Sequence, residues 1–282
     1  MLMRLVDNAA VGLLRAHGAR SEWIDGDGTP VHVLRKRGRG EAPPVLLLHG
    51  LGSCASDYIG VIAGLAACCH EVVAIDLPGH GLTPPPPEGM TPEGIRRVAT
   101  AALDALMVES MVVFGNSLGG LTAIRLALHR PGMVRGLLLA SPAGAPMSEE
   151  DFARLMVGFQ YRDHRSALEF VARFTPRPGL FRHPFAWGVR QRMGRESVRD
   201  FLGRIGPVDL LGEEDLGGLR MPIEVVWGAH DQVLPAAHAD FFRTRLPAHA
   251  RVEVIEGLGH VPYVDDLSGF TGRISRFAMA CR

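Results

Sequence analysis

The sequence predicts an α/β protein whose mostly parallel, doubly wound sheet is interrupted once by a helical insert. Two patterns predict it. Short apolar runs rich in Val, Leu and Ile repeatedly lead into Gly-rich loops and then into helical stretches, the rhythm of buried parallel strands with crossover helices. That rhythm fails between about Ala143 and Arg220, which hold helical stretches punctuated by Pro176, Pro184 and Pro207 and no convincing strand. With 282 residues, 47% of them hydrophobic and 21% charged, the chain can bury a large core as one domain with an insertion.

Taken in order, Met1 to Ala16 places Leu2, Leu5, Val6, Ala9, Leu13 and Leu14 at helical spacing, with Arg4, Asp7 and Arg15 between them. The run is too short and too interrupted for a signal peptide or a transmembrane helix. It reads as an amphipathic helix packed on the body, or as one lying on a membrane surface near the site's mouth. Asp25-Gly26-Asp27-Gly28 is a hairpin turn between two short strands. Val45 to Leu48 is a buried strand that runs into His49-Gly50-Leu51-Gly52. Pro84 to Pro87 is a stiff polyproline connector. Met111 to Phe114 is the next strand and Leu121 to Arg130 the helix after it, stopped by Pro131-Gly132. Gly136 to Ala140, Ile223 to Trp227 and Val252 to Ile255 complete the parallel set.

The chemistry lies in the loops that leave these strands. Gly115-Asn116-Ser117-Leu118-Gly119 fits G-x-S-x-G between a strand and a helix, where a serine on a sharp turn stands clear of the sheet. Small neighbours such as Gly115 and Gly119 leave room for the strained turn, and the helix beginning there aims its free amides at an anion beside the serine. The loop after Trp227 carries Asp231, and the loop after Ile255 carries His260. In a parallel sheet both emerge on the serine's edge. Ser117 would attack, His260 would take and return the proton, and Asp231 would fix the imidazole tautomer. His230 competes weakly as the base, since it precedes the acid and follows the wrong strand. The loop after Ala140 reads Ser141-Pro142-Ala143 and has no carboxylate to offer.

Five segments together resemble the α/β-hydrolase superfamily over nearly the whole chain. They are His49 to Ser53, Asp76 to Thr83, the turn at Asn116 and Ser117, Trp227 to Pro235, and Gly257 to Asp266. The order Ser117, Asp231, His260 is the order of that fold. The resemblance implies a core of residues 1–142 and 221–282, with a helical cap inserted over residues 143–220. It also implies an oxyanion hole from the Leu51 and Leu118 amides, framed by His49, Gly50, Gly115, Asn116 and Gly119. The serine argues against the dehalogenase and epoxide-hydrolase branches, which place Asp there. Thr83 stands where the family commonly has Ser.

The expected reaction is hydrolysis of a small to medium, largely apolar carboxylic ester through an acyl-enzyme, without a cofactor. Two further enzyme readings stay open. One is C–C bond hydrolysis of a vinylogous dienoic acid; that branch resembles this chain at Asn116 but usually has Trp where Val261 stands. The other is acyl transfer. A non-catalytic ligand receptor on the same fold is the alternative of a different class. In the insert, Phe152, Met156 and Phe159 share a helix face, which is expected either to pack on a neighbouring helix of the insert or to wall the pocket. Arg190 and Arg192, among the arginines between Arg162 and Arg195, are the expected holders of any substrate carboxylate. A formal net charge of zero gives no support for a nucleic-acid partner. Cys54, Cys68, Cys69 and Cys281 show no metal-ligand spacing, so no metal site is expected; Cys68 and Cys69 read as small buried residues of a cytoplasmic protein, and Cys54, close to the loop after His49, reads as a packing residue or a lining of the pocket. Oligomeric state is not encoded in any of these patterns.

Overall fold

The computed structural model describes the chain except Met1, Glu109, Tyr161, Arg162, Pro178, Leu180, Phe181, Glu213 and the side chains of Leu2 and Arg4. Eight strands form one sheet: β1 (Arg20–Gly26), β2 (Thr29–Arg37), β3 (Val45–Leu48), β4 (Glu71–Ile75), β5 (Met111–Asn116), β6 (Val134–Ala140), β7 (Ile223–Gly228) and β8 (Arg251–Ile255). Their order is β1-β2-β4-β3-β5-β6-β7-β8, antiparallel for the first two pairings and parallel thereafter. The β1–β2 hairpin closes on Asp27-Gly28, with φ of 56° and 80°, the two positive values that a two-residue turn matched to strand twist requires.

Among the described residues, eleven α-helices accompany the strands. They are α1 (Leu2–Ala16), α2 (Ile59–Leu65), α3 (Pro92–Ala105), α4 (Leu118–His129), α5 (Glu149–Val157), α6 (His164–Phe174), α7 (Arg182–Met193), α8 (Glu196–Arg204), α9 (Ala237–Arg245), α10 (Pro262–Asp265) and α11 (Leu267–Ala280). Alternation along the strands feeds two cores, one per sheet face. Val113, Leu137 and Leu139 meet α3, α4 and α9. Val112, Phe114 and Leu138 meet α2, α11 and the inner side of α1 at Val11 and Leu14. Helices α5 to α8 all fall between β6 and β7, inside the stretch where the strand rhythm stops.

Helix α1 is inverted relative to a simple amphipathic helix. Its buried side carries Asp7, whose side chain is 2% exposed, together with Met3, Val11 and Leu14. Its outer side carries Leu5 and Leu13, 56% and 51% exposed, beside Val6 and Ala9. The amphipathic reading of α1 is therefore corrected at Leu5, Val6, Ala9 and Leu13, which face out, and at Asp7, which faces in. That carboxylate meets Arg192 and Arg195, which no spacing within α1 could reveal.

Candidate active site

Strand β5 delivers Ser117 onto a turn with φ 55° and ψ −118°, a conformation that is rare for a residue with a Cβ. The turn is locked on both sides. The Ser117 amide donates to the Ala140 carbonyl (3.1 Å), and its own carbonyl accepts from Gly120 (2.9 Å), Leu121 (3.1 Å) and Ala143 (3.0 Å). Helix α4 then crosses β3 so closely that a Cβ on Gly119 would sit 2.1 Å from the Leu48 carbonyl oxygen. One built on Gly115 would sit 2.4 Å from the Gly119 carbonyl oxygen. The two glycines are therefore steric requirements of the turn.

The His-Gly loop after β3 is set by a buried imidazole. The Leu77 amide donates to His49 Nε2 (3.0 Å), which leaves the ring proton on Nδ1, 2.9 Å from the Gly50 carbonyl. Burial depresses the His49 pKa and keeps the ring neutral, against the pull of Asp76. In a planar trans peptide the Gly50 carbonyl and the Leu51 N–H point in opposite directions. Anchoring the carbonyl to His49 thus turns the Leu51 amide away from that ring. Gly50 itself approaches Ser117, a Cβ there lying 3.3 Å from the Ser117 Cβ. Leu118 opens α4, so its amide has no intrahelical partner. Among the described residues neither the Leu51 nor the Leu118 amide meets a protein acceptor.

His260 and Asp231 are brought together as expected, with His260 Nδ1 2.8 Å from Asp231 Oδ2. The other carboxylate oxygen accepts the Val233 and Leu234 amides at 2.8 and 3.0 Å. Burial alone would raise the Asp231 pKa; His260 and the Leu234 amide outweigh it and hold the carboxyl below its usual range. Asn116 links base and serine turn, its Nδ2 donating to the carbonyls of both Ala140 and His260 at 3.0 Å. The competing His230 is half exposed and faces Glu256.

Ser117, His260 and Val261 line a cavity of about 550 Å³, within the range of small-molecule sites. Its walls are apolar. Phe170 and Phe174 come from α6, Trp187 and Val189 from α7, Met3 and Val6 from α1, and Phe159 from the turn after α5. Phe159 thus lies where its spacing put it, edge-on to Phe170 at 5.6 Å. Phe152 and Met156 do not line the cavity; the stripe on α5 packs on the main core through Leu155 and Phe159 instead. Arg190 is also misplaced by the sequence reading, being exposed beside a separate surface hollow near Gly194. Arg162 lies outside the described residues.

Arg192 reaches the cavity wall, but its charge is already taken. It donates to Asp7 (2.7 Å) and Asp57 (2.5 Å), while Arg195 donates to the second oxygen of Asp7 (2.9 Å). Burial lowers the Arg192 pKa, and the facing carboxylates raise it by more. The cluster ties α1 and α7 to the loop after His49. Replacing Arg192 with Ala would leave Asp57 without a cation and Asp7 with Arg195 alone, and breaking a buried pair from one side typically costs about 3–5 kcal/mol. Urea unfolding of Arg192→Ala is expected to show a loss in that range. A loss below about 1 kcal/mol would mean that the cluster behaves as a surface pair.

A family model described as the alpha/beta hydrolase family matches residues 45–270. An uncharacterised Mycobacterium tuberculosis protein is 29% identical over 275 residues, covering 88% of this chain and 79% of the relative. The pimeloyl-[acyl-carrier protein] methyl ester esterase of Aeromonas hydrophila is 25% identical over 262 residues, covering 84% of this chain and 96% of the esterase. Among solved structures, a membrane phospholipase A described as a bacterial virulence factor superposes with a TM-score of 0.83 at 23% identity. That match covers 100% of this chain and 91% of the phospholipase, and it speaks for the fold. The eight-stranded sheet, the serine turn after β5 and the match over residues 45–270 make this chain a member of the alpha/beta hydrolase family.

Proposed function

We propose that the protein is a serine hydrolase of neutral, apolar carboxylic esters. Ser117 attacks the ester carbonyl while His260 Nε2 takes its proton. Asp231 holds the opposite ring proton and stabilises the imidazolium, and the Leu51 and Leu118 amides receive the oxyanion. His260 then returns the proton to the leaving alcohol, and a water activated by the same ring releases the acid. No cofactor enters this sequence. Four free cysteines accord with work in the reducing cytoplasm.

The observation that carries the substrate class is the state of Arg192. It is the one guanidinium among the described residues lining the cavity, and two carboxylates already neutralise it. A dienoic acid would therefore bury its carboxylate beside a cation already neutralised by two acids, with only the unpartnered Arg192 Nε left to donate, which is costly. That weighs against the C–C reading. The mouth extends the argument, because Val6, Phe185 and Val264 (49% exposed) line the cavity and also face outward. Leu5 and Leu13 on the outer side of α1 are exposed as well. We place this rim against lipid or aggregated ester, as a peripheral contact of α1; no helix among the described residues is long and apolar enough to cross a membrane.

The test is a hydrolysis screen of p-nitrophenyl esters of graded chain length, beside a dienoic acid and its methyl ester. The neutral ester is expected to be preferred in every acid–ester pair. For long-chain esters, turnover is expected to rise when they are dispersed in vesicles, and Leu5→Asp is expected to remove that rise. Preference for the free acid would overturn the ester reading in favour of C–C hydrolysis. Failure of a fluorophosphonate to label Ser117 in folded protein would favour a non-catalytic receptor.

A further inference from the structure

Helix α6 ends where Pro176 forces Thr175 into an extended conformation, with φ −141° and ψ 134°. The last carbonyls of a helix have no partner within it. Here the loops carrying the candidate acid and base supply the donors. The Arg173 carbonyl accepts the amide of Gln232, next to Asp231, at 3.2 Å. The Arg173 Nε returns a hydrogen bond to the Gln232 carbonyl at 2.9 Å. The Phe174 carbonyl accepts the amide of His260 itself at 2.7 Å, and the two rings lie 5.6 Å apart.

One residue further on, the buried Thr175 hydroxyl donates to Asp265 Oδ1 and accepts the Arg177 amide at 3.0 Å. The second oxygen of Asp265 holds the Gly259 amide at 2.7 Å. The approach leaves no room for a side chain, since a Cβ on Gly259 would lie 2.2 Å from the Phe174 carbonyl oxygen. His260 is thus held by its N–H to the inserted helices and by its C=O to Asn116 of the serine turn.

We infer that the exit of α6, residues 173–175, together with Asp265, positions the imidazole of His260 for proton transfer. Thr175 and Asp265 are positioning residues that act through the backbone of the base loop. The insert therefore does more than wall the cavity; where α6 sits sets how His260 meets Ser117. Misplacing a reacting group by about 1 Å costs on the order of 100-fold in rate, so a modest loosening of this tie is visible in kcat. The inference rests on the hydrolase reading for its catalytic consequence, and its structural part can be read without turnover.

The experiment compares Thr175→Val, Thr175→Ser and Asp265→Ala with the parent protein, after thermal melts show which variants are folded. Amide hydrogen exchange at His260 and steady-state kinetics on one p-nitrophenyl ester are both measured. Thr175→Val and Asp265→Ala are expected to speed exchange at His260 and lower kcat by about tenfold or more, with KM within about threefold. Thr175→Ser keeps the hydroxyl and is expected to restore both. Unchanged exchange at His260 in both folded variants overturns the inference. So does a rise in KM with kcat intact, or a Thr175→Ser as impaired as Thr175→Val. If the parent protein hydrolyses no ester and takes no fluorophosphonate, the hydrolase reading falls. Exchange at His260 in the three variants then still decides whether the tie exists.

Discussion

Ser117→Ala is expected to abolish ester turnover, lowering kcat by about four orders of magnitude or more while the protein stays folded. The change removes one oxygen from a partly exposed turn. The hydrogen bonds that Ser117 contributes to that turn run through its backbone, from its amide to Ala140 and from its carbonyl to Gly120, Leu121 and Ala143. Alanine keeps all of them and tolerates the strained φ no worse than serine does. The melting temperature should therefore move little, and a fluorophosphonate that labels the parent protein should no longer do so. Retention of more than about a tenth of the activity in Ser117→Ala would remove Ser117 as the nucleophile.

The sequence makes the sheet and the loops above it legible because their signals are local. Val45 to Leu48, Met111 to Phe114 and Leu137 to Ala140 are completely buried, and a run buried on both faces must be continuously apolar. Gly115 and Gly119 stand where neighbouring backbone excludes a Cβ, so the turn is written in the residues that build it. The insert is harder to read. Periodicity showed that Phe152 and Met156 share a face with Phe159, but a face has no address until its neighbour is known. The ring wall comes instead from Phe170 and Phe174 on α6 and Trp187 on α7. Arginine density likewise says nothing about partners. Arg192 meets an acid 185 positions away in the chain, on a helix whose inner side spacing could not show to be charged. The tie between Phe174 and His260 is invisible for the same reason, since it is made by backbone atoms that any residue carries.

Asp231→Asn is expected to cost roughly three to four orders of magnitude in kcat with little loss of stability. In the parent protein one carboxylate oxygen takes the Val233 and Leu234 amides and the other takes the His260 ring proton. Asparagine offers a single oxygen, and the two amide donors fix where it goes. The side-chain NH2 must then face His260 Nδ1, which becomes an acceptor and sends the ring proton to Nε2. An imidazole protonated on Nε2 cannot accept the serine proton that the proposed mechanism sends there. Geometry survives and the base is lost. The other carboxylates near the site serve as controls, because none of them faces the His260 ring. Asp76 holds His32 and the Ala55 and Leu82 amides, and Asp57 holds Arg192 and Ser53. Asp265 acts only on the base loop, so Asp265→Ala should fall short of Asp231→Asn by about two orders of magnitude. Kinetics on one p-nitrophenyl ester across Asp231→Asn, Asp57→Asn, Asp76→Asn and Asp265→Ala, with a melt for each variant, decides the matter. A mild Asp231→Asn beside a folded, inactive Asp57→Asn or Asp76→Asn would place the acid elsewhere.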